Sequence, residues 1–430
     1  MRLDFVNRDS ELGELDAAAS KGGLLAVYGR RRVGKTRLLV EWLGRRGGWY
    51  SQAIEGPVEM QVQQAFEDLR AGLDTAVVPK SWTELFDLLR IQRSPWTLCL
   101  DEFPYLVASD RTLPSRLQRW VDHDMPACST LILSGSSTRM MHSLFQHRAA
   151  PLFGRARKLL HVEPMDYPAF CAACRLKPGD MESFLKFSLV GGVPRYCEFV
   201  ESRQTAVELA EALYFNFAPY MEQEPQRLLR DEGVGGPNAL AVLEAIGRGA
   251  ERPSEIAARL GTAQTNLSRV FQQLLDVSVL TRELPFGESV RSTKRILYRI
   301  QDPTLRFWFR VYSPQQSLWR TLPLDRRARL MHDHAATVFE DFCRLRYPGA
   351  QRYWEGDVEL DLVAPDPEVA GGLLVAEVKW RRLKAGERAG FLRQLQTKWT
   401  GCKLAEKQAK VRFEVMDAGV LKDKVEQPNF

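Results

Sequence analysis

The chain has 430 residues, of which 45% are hydrophobic, which is enough for about two to four domains and excludes a wholly disordered protein. Its formal net charge is +6, which permits a nucleic-acid partner without requiring one. No apolar run reaches the roughly 18 residues of a transmembrane helix, and the start MRLD lacks the apolar segment of a signal peptide. Seven scattered cysteines indicate reduced thiols, so we predict a cytoplasmic protein with no membrane partner.

Three short apolar runs predict buried strands in the first part of the chain, at residues 24–28, 96–100 and 130–134. Each run is continuous rather than alternating, as expected for parallel strands that are covered on both faces. Amphipathic stretches between the runs predict helices. The pattern therefore indicates an α/β domain.

The first predicted strand leads into residues 29–36, GRRRVGKT, which fit the phosphate-binding pattern G-x-x-x-x-G-K-[ST] without a mismatch. Gly29 and Gly34 let backbone amides curl round a phosphate, and the N-terminus of the following helix adds positive potential. We expect Lys35 to bridge the terminal phosphates of ATP and the Thr36 hydroxyl to bind Mg²⁺. The three arginines occupy free positions and are expected to be solvated or to contact a partner.

Polar residues follow the other two predicted strands. Asp101 is placed to hold Mg²⁺ through water, and Glu102 could polarise the attacking water as a general base. Ser136 follows the third strand and could contact the γ-phosphate or orient water, although an ordinary loop serine explains the same pattern.

Together these motifs resemble the archaeal-type ATPases, an AAA-related and STAND-like branch of P-loop proteins. The segments that carry the resemblance are FVNRDSEL at 5–12, GRRRVGKT at 29–36, LDEF at 100–103, LSGSS at 133–137, PLFGR at 151–155 and GGVP at 191–194. The resemblance implies a sheet in which the third strand lies between the P-loop strand and the acidic strand. It also implies that Arg155 senses the γ-phosphate and that Arg8 and Pro194 flank adenine.

Residues 237–303 resemble a winged helix-turn-helix, with three short helical patterns and a basic hairpin. The third helix would offer Arg269 to a DNA groove. In the hairpin, Arg291, Lys294 and Arg295 would meet phosphates. Winged helices also serve as rigid protein-contact modules, so both roles stay open at this point.

Strict alternation at residues 358–363 predicts a strand with Asp361 on its polar face, and residues 373–380 predict a second strand with Glu377 and Lys379 on one face. Two adjacent strands would bring these three side chains together. The carboxylates could hold Mg²⁺ or Mn²⁺, and the lysine could position water or offset phosphate charge. Glu340, in a helix predicted at 337–347, could add a fourth polar group.

This D…E-x-K order resembles a PD-(D/E)XK nuclease core, and EVKW at 377–380 resembles the nuclease-like tail of many archaeal-type ATPases. The resemblance implies metal-dependent cleavage of nucleic acid. A fold that has lost cleavage and a solvated, salt-bridged strand pair are the alternatives. The loop before the second strand, with Pro365, Pro367 and two glycines, departs from the pattern and could reshape the site.

We therefore predict an α/β multidomain protein with five parts: a P-loop ATPase core at 1–170, a helical lid at 171–236, a winged helix at 237–303, a connector at 304–334 and a nuclease-like domain at 335–430. The expected function is an ATP-hydrolysing switch coupled to a nucleic-acid reader and a nuclease, with DNA favoured over RNA. This function is compatible with a homo-oligomer or with a regulatory protein partner. The alternatives are an ATP-switched DNA-binding or scaffold protein with a silent tail, and an RNA-directed toxin or defence effector.

Overall fold

The structure is a computed structural model that describes residues 3–73, 75, 77–93, 95–291, 293–408 and 410–422. Its N-terminal part contains a five-stranded parallel sheet with the order β2-β3-β4-β1-β5. The strands are β1 (Gly23–Tyr28), β2 (Trp49–Gln52), β3 (Thr97–Asp101), β4 (Thr130–Gly135) and β5 (Ala156–His161). The prediction that the third predicted strand, β4, lies between the P-loop strand and the acidic strand is confirmed.

Both faces of this sheet are covered by helices, which is why its strands are continuously apolar. Alternate residues of β1 belong to two different hydrophobic cores. Leu25 and Val27 pack against the first two helices of the chain, whereas Leu24 and Ala26 pack against later helices on the other face of the sheet. The helices are α1 (Asp9–Ala19), α2 (Lys35–Arg46), α3 (Val58–Leu69), α4 (Trp82–Ile91), α5 (Phe103–Ser109), α6 (Leu113–His123) and α7 (Thr138–Phe145).

A helical region follows the sheet. It comprises α8 (Tyr167–Ala173), α9 (Met181–Val190), α10 (Pro194–Cys197), α11 (Ala206–Ala210), a π-helical turn (Glu211–Phe215) and α12 (Glu224–Asp231). Its aromatic side chains pack on the C-terminal part of the chain: Phe184 meets Phe339 and Phe342 with ring centroids 5.6 and 5.5 Å apart. The helical region and the C-terminal part therefore share one hydrophobic core.

Three helices and a hairpin come next, with a core of their own. They are α13 (Pro237–Gly247), α14 (Pro253–Arg259), α15 (Gln264–Asp276), β6 (Leu280–Glu283) and β7 (Leu297–Ile300), and the two strands are antiparallel. These elements lie where the sequence predicts them. Their assignment as a winged helix stays a prediction.

The chain then passes through α16 (Pro303–Phe307), a π-helical turn (Trp308–Tyr312) and α17 (Ser313–Gln315) into the long helix α18 (Leu324–Leu345). This helix starts well before the predicted residue 337, so the predicted domain boundary at 335 falls inside it. No helix in the described part of the chain is long and apolar enough to cross a membrane.

A second, four-stranded sheet has the order β11-β10-β9-β8, with β10 and β11 parallel and the other neighbours antiparallel. Two of these strands, β9 and β10, were predicted from sequence, whereas β8 and β11 were missed. The C-terminal elements are β8 (Gln351–Glu355), β9 (Val358–Pro365), β10 (Leu373–Lys379), α19 (Ala385–Thr400), α20 (Lys403–Lys407) and β11 (Val411–Asp417).

Candidate functional site

The loop between β1 and α2 has a backbone that only glycine allows at its first position. Gly29 has φ +154°, and a Cβ there would lie 2.2 Å from the Val162 carbonyl oxygen. At the end of the loop, a Cβ on Gly34 would lie 3.7 Å from Pro194 Cγ, so Pro194 borders the loop. Its predicted contact with adenine stays a prediction. The loop is thus held between β1, the segment after β5 and the start of α10.

Lys35 is folded over this loop. Its Nζ donates to the Gly29 carbonyl over 2.8 Å and to the Arg30 carbonyl over 3.2 Å, and the residue is only 5% exposed. Burial lowers the pKa of the Lys35 ammonium, although the charges of Glu102 and Asp101 oppose this shift. A buried cation at the start of a helix is suited to an anion with several negative charges.

Asp101 and Thr36 are in direct contact at the carboxyl edge of the sheet. The Thr36 hydroxyl donates to Asp101 Oδ2 over 2.6 Å, and the Tyr50 hydroxyl donates to the same oxygen over 2.8 Å. Asp101 is fully buried. The two predicted Mg²⁺-binding side chains therefore lie together in a fixed orientation.

Glu102 is held by the neighbouring strand. Ser136 Oγ donates to Glu102 Oε2 over 2.7 Å, which gives this serine a definite contact that the sequence pattern alone left open. Glu102 also has φ +55°, a left-handed conformation that is strained for a glutamate and is typical of functional sites. The Ser136 hydroxyl thus orients the Glu102 carboxylate.

Arg8 lies beside the loop and binds main-chain oxygens. Its Nη2 donates to the Val33 carbonyl over 3.0 Å and to the Glu163 carbonyl over 2.9 Å, and its other nitrogen pairs with Glu11. Arg8 therefore fixes the loop to the segment after β5. Its predicted contact with adenine stays a prediction.

Arg155 does not reach the loop. Its guanidinium donates to Asp122 through Nε and Nη2, at 3.0 and 2.9 Å. The next residue, Ala156, pairs with Leu24 at the start of β1, whereas the loop follows the other end of β1. Arg155 therefore does not reach the loop of its own chain, because its position precedes a parallel strand rather than following one. Its predicted role as a sensor of the γ-phosphate stays a prediction.

The three loop arginines are paired with acids of the later helices; Arg30 and Arg32 are largely buried by these contacts, whereas Arg31 stays about half exposed, with a side-chain exposure of 54%. Each guanidinium forms an ion pair with a carboxylate about 200 residues or more away along the chain, in or next to α12 or at the start of α16. The pairs are Arg30 with Asp302, Arg31 with Asp231 and Arg32 with Glu224. No local sequence pattern signals partners at such separations.

Glu232 reaches the N-terminus of α7. The sequence analysis did not predict this residue as part of the site. Its Oε1 accepts from the Thr138 amide over 3.2 Å, and its Oε2 accepts from the Arg139 amide over 3.2 Å and from the Ser137 hydroxyl over 3.4 Å. The residue is 4% exposed, and burial raises the pKa of its carboxyl although these hydrogen bonds oppose the shift. It is a buried acid directly beside the candidate nucleotide site.

The C-terminal sheet brings three predicted residues together. Lys379 Nζ lies 2.7 Å from Glu377 Oε1 and 3.9 Å from Asp361 Oδ2, and the Val378 amide donates to Asp361 Oδ2 over 2.8 Å. A second lysine, Lys398 of α19, lies 2.9 Å from Glu377 Oε2 and was missed. It comes from a helix 21 residues later, so strand alternation could not reveal it.

Burial and neighbouring charges shift the pKa values of the carboxylates in this cluster. Burial, followed by the charge of Glu377, raises the pKa of Asp361, and burial and the charge of Asp361 raise the pKa of Glu340. Burial alone would raise the pKa of Glu377, but hydrogen bonds from Lys379 and Lys398 lower it below its usual value. Within the described residues, no three His, Cys, Asp or Glu side chains are arranged to hold one metal ion.

The predicted nucleic-acid residues divide into two groups. Arg269 on α15 and the hairpin residues Arg291 and Lys294 are exposed. Arg295 instead donates to the Trp354 carbonyl over 2.7 Å and pairs with Glu288, so its guanidinium is engaged within the fold. Its predicted contact with phosphates stays a prediction. The hairpin lies against the edge strand β8, which uses this arginine for a contact within the fold.

Comparisons with known proteins agree with the geometry of the N-terminal site. Residues 5–198 match the family model described as an ATPase domain predominantly from Archaea. An uncharacterized protein of Methanocaldococcus jannaschii is 25% identical over 424 residues, which cover 92% of this chain and 91% of that protein. A Walker-type ATPase of Pyrococcus abyssi has a similar fold, with a TM-score of 0.54 and 19% identity over 72% of this chain and 97% of that one.

Proposed function

We propose that the chain is a switch that binds and hydrolyses ATP at residues 29–36, a proposal supported by the match of residues 5–198 to an ATPase domain predominantly from Archaea. The observation that carries this proposal is the convergence of Lys35, Thr36, Asp101 and Glu102 at one edge of the parallel sheet. Their hydrogen bonds hold them beside the loop, where phosphate and Mg²⁺ would bind.

Each residue of this site has one task. Lys35 would balance the charge of the terminal phosphates, the Thr36 hydroxyl would bind Mg²⁺, and Asp101 would hold the ion through water. Glu102, held by Ser136, accepts a proton from the attacking water. When bound, Mg²⁺ neutralises charge that develops on the transferred phosphoryl group.

We further propose that α13–α15 and the β6–β7 hairpin form a winged helix that reads nucleic acid, with DNA favoured over RNA. The exposed cations Arg269, Arg291 and Lys294 support this proposal, because they are available to phosphates. A protein-contact role is the alternative for the same surface, and the docking of the hairpin on β8 favours it for the side that carries Arg295.

For the C-terminal sheet we propose a metal-dependent phosphodiesterase. Asp361 and Glu377 would hold Mg²⁺ or Mn²⁺. Burial raises the pKa of Asp361, and the charge of Glu377 adds to this shift, so a cation between the two carboxylates would offset their repulsion. Lys379 would face the attacked phosphate. The second candidate, a silent nuclease-like tail, is favoured by two observations: two lysines already neutralise Glu377, and the described residues contain no group of three potential metal ligands.

One experiment distinguishes these proposed functions. Purified protein is incubated with supercoiled plasmid or total RNA, with Mg²⁺ or Mn²⁺, in the presence and absence of ATP. We expect ATP hydrolysis in wild type and its loss in Lys35→Ala, and metal-dependent nicking of plasmid that Asp361→Ala removes without changing ATP hydrolysis. ATP hydrolysis without cleavage of either nucleic acid would favour the silent tail, and cleavage of RNA alone would favour the RNA-directed effector.

A further inference from the structure

The segment from α12 to Glu232 touches the nucleotide site at three places. At its two ends, Glu224 holds Arg32 and Asp231 holds Arg31, and both arginines belong to the phosphate loop. The residue after Asp231 is Glu232, whose carboxylate caps the N-terminus of α7. This segment therefore forms a bridge between the loop and the helix that follows β4.

Glu232 occupies a position that favours an anion. A helix N-terminus stabilises negative charge, and α7 begins directly after Ser136 and Ser137, the two residues that follow β4. Ser136 binds Glu102, and Ser137 binds Glu232, so the two acids are joined through adjacent serines. The negative charge of Glu232 also acts on the Lys35 ammonium. This supports the placement of Glu232 near the terminal phosphates.

We propose that Glu232 is a nucleotide-discriminating residue: its carboxylate occupies the phosphate side of the α7 N-terminus and is displaced by the γ-phosphate of ATP but not by ADP. This inference rests on the proposed binding of ATP at residues 29–36. A γ-phosphate beside Lys35 adds negative charge close to a buried carboxylate, and like charges in a poorly solvated site repel strongly. ADP ends one phosphate earlier and leaves the carboxylate in place.

Displacement of Glu232 has a consequence outside the site. Because Glu232 directly follows α12, its movement acts on the segment that pairs with Arg31 and Arg32. The unit built from α13–α15 begins only a few residues later, at Pro237. The presence of the γ-phosphate is thereby transmitted to the surface that carries Arg269.

The test compares affinities for Mg-ADP and for a non-hydrolysable Mg-ATP analogue by titration calorimetry in wild type and in Glu232→Gln. Glutamine keeps the size and an acceptor oxygen but removes the charge. We expect the ATP analogue to bind about tenfold more tightly to the variant, with ADP affinity changed less than about twofold, a coupling within the usual range. Glu255→Gln, an exposed acid on α14, is the matched control and should change neither affinity.

Hydrogen exchange provides a second readout that does not need a variant. In wild type, the ATP analogue should increase amide exchange at residues 224–236, and ADP should leave it unchanged. Equal effects of Glu232→Gln on both nucleotides, no effect on either, or equal exchange with both nucleotides would overturn the inference. If wild type binds neither nucleotide, the proposed function itself fails and this inference with it.

Discussion

The hydroxyl of Ser136 donates a 2.7 Å hydrogen bond to Glu102 Oε2, so the end of β4 orients the acid that follows β3. The two strands are parallel neighbours, and their carboxyl ends therefore meet at one edge of the sheet. Under the proposed function the Glu102 carboxylate would activate the attacking water, and the Ser136 hydroxyl would position that carboxylate.

We expect Glu102→Gln to bind ATP normally and to lose hydrolysis by about 100-fold or more, since a positioned general base contributes about that much. Ser136→Ala should keep the base and lose its orientation, so kcat should fall less and KM should change little. Phosphate release and binding of a fluorescent nucleotide measure the two effects. Wild-type turnover in Glu102→Gln would mean that another residue activates the water.

Arg155→Ala should leave ATP hydrolysis by one chain unchanged, because its guanidinium is bound to Asp122 at the end of the sheet away from the loop. Hydrolysis is measured per chain over a dilution series. A loss of activity that is independent of protein concentration would show that Arg155 acts on the nucleotide of its own chain after all.

Local motifs predicted those site residues that lie close together in the sequence. The loop, Lys35 and Thr36 form one segment, and a period of two placed Asp361, Glu377 and Lys379 on neighbouring strand faces. The missed contacts join distant segments: Lys398 reaches Glu377 from a helix, and Glu232 reaches α7 from beyond α12. Such contacts depend on how whole helices and strands pack together, and residue spacing within one segment does not predict that packing.

Charge reversal at Arg269, Arg291 and Lys294 should weaken DNA binding and reduce its salt dependence, because fewer counterions are released. Fluorescence anisotropy at several salt concentrations measures both quantities. Arg295→Ala is the contrasting variant: it removes a contact with the Trp354 carbonyl, so it should lower thermal stability while the salt slope stays unchanged. An unchanged slope in the charge-reversed variant would instead support the protein-contact role.

Lys398→Met should affect the C-terminal site without touching ATP hydrolysis. Its ammonium lies 2.9 Å from Glu377 Oε2, where it offsets the charge that a divalent cation would use. We expect Mn²⁺ to bind about tenfold more tightly to the variant, as measured by the loss of free Mn²⁺ signal in electron paramagnetic resonance, since removing one cation strengthens the field of the carboxylates. Lys403→Met, on the exposed helix α20, is the control. Equal Mn²⁺ affinity in wild type and Lys398→Met would argue against a cation site at Glu377.

His334 predicts a specific dependence of stability on pH. The residue is fully buried; its Nε2 donates to the Ser188 carbonyl over 2.8 Å, and its Nδ1 has no partner among the described residues. Burial lowers the pKa of His334 to about 3, and the nearby charges of Arg306 and Arg310 act in the same direction, against Asp341 and the Ser188 carbonyl.

In the unfolded chain the pKa of a histidine is about 6.5. Between that value and about 3, the unfolded chain therefore binds a proton that the folded chain does not. The free energy of unfolding should consequently fall as the pH decreases through this window, by up to about 1.4 kcal/mol per pH unit from this residue. His334→Gln keeps a donor for the Ser188 carbonyl but removes the titration, so its stability should fall less steeply between pH 6 and pH 4. Urea unfolding at each pH measures the slope, with the exposed His147→Gln as control. Identical slopes for wild type and His334→Gln would contradict the assignment of a neutral, buried imidazole.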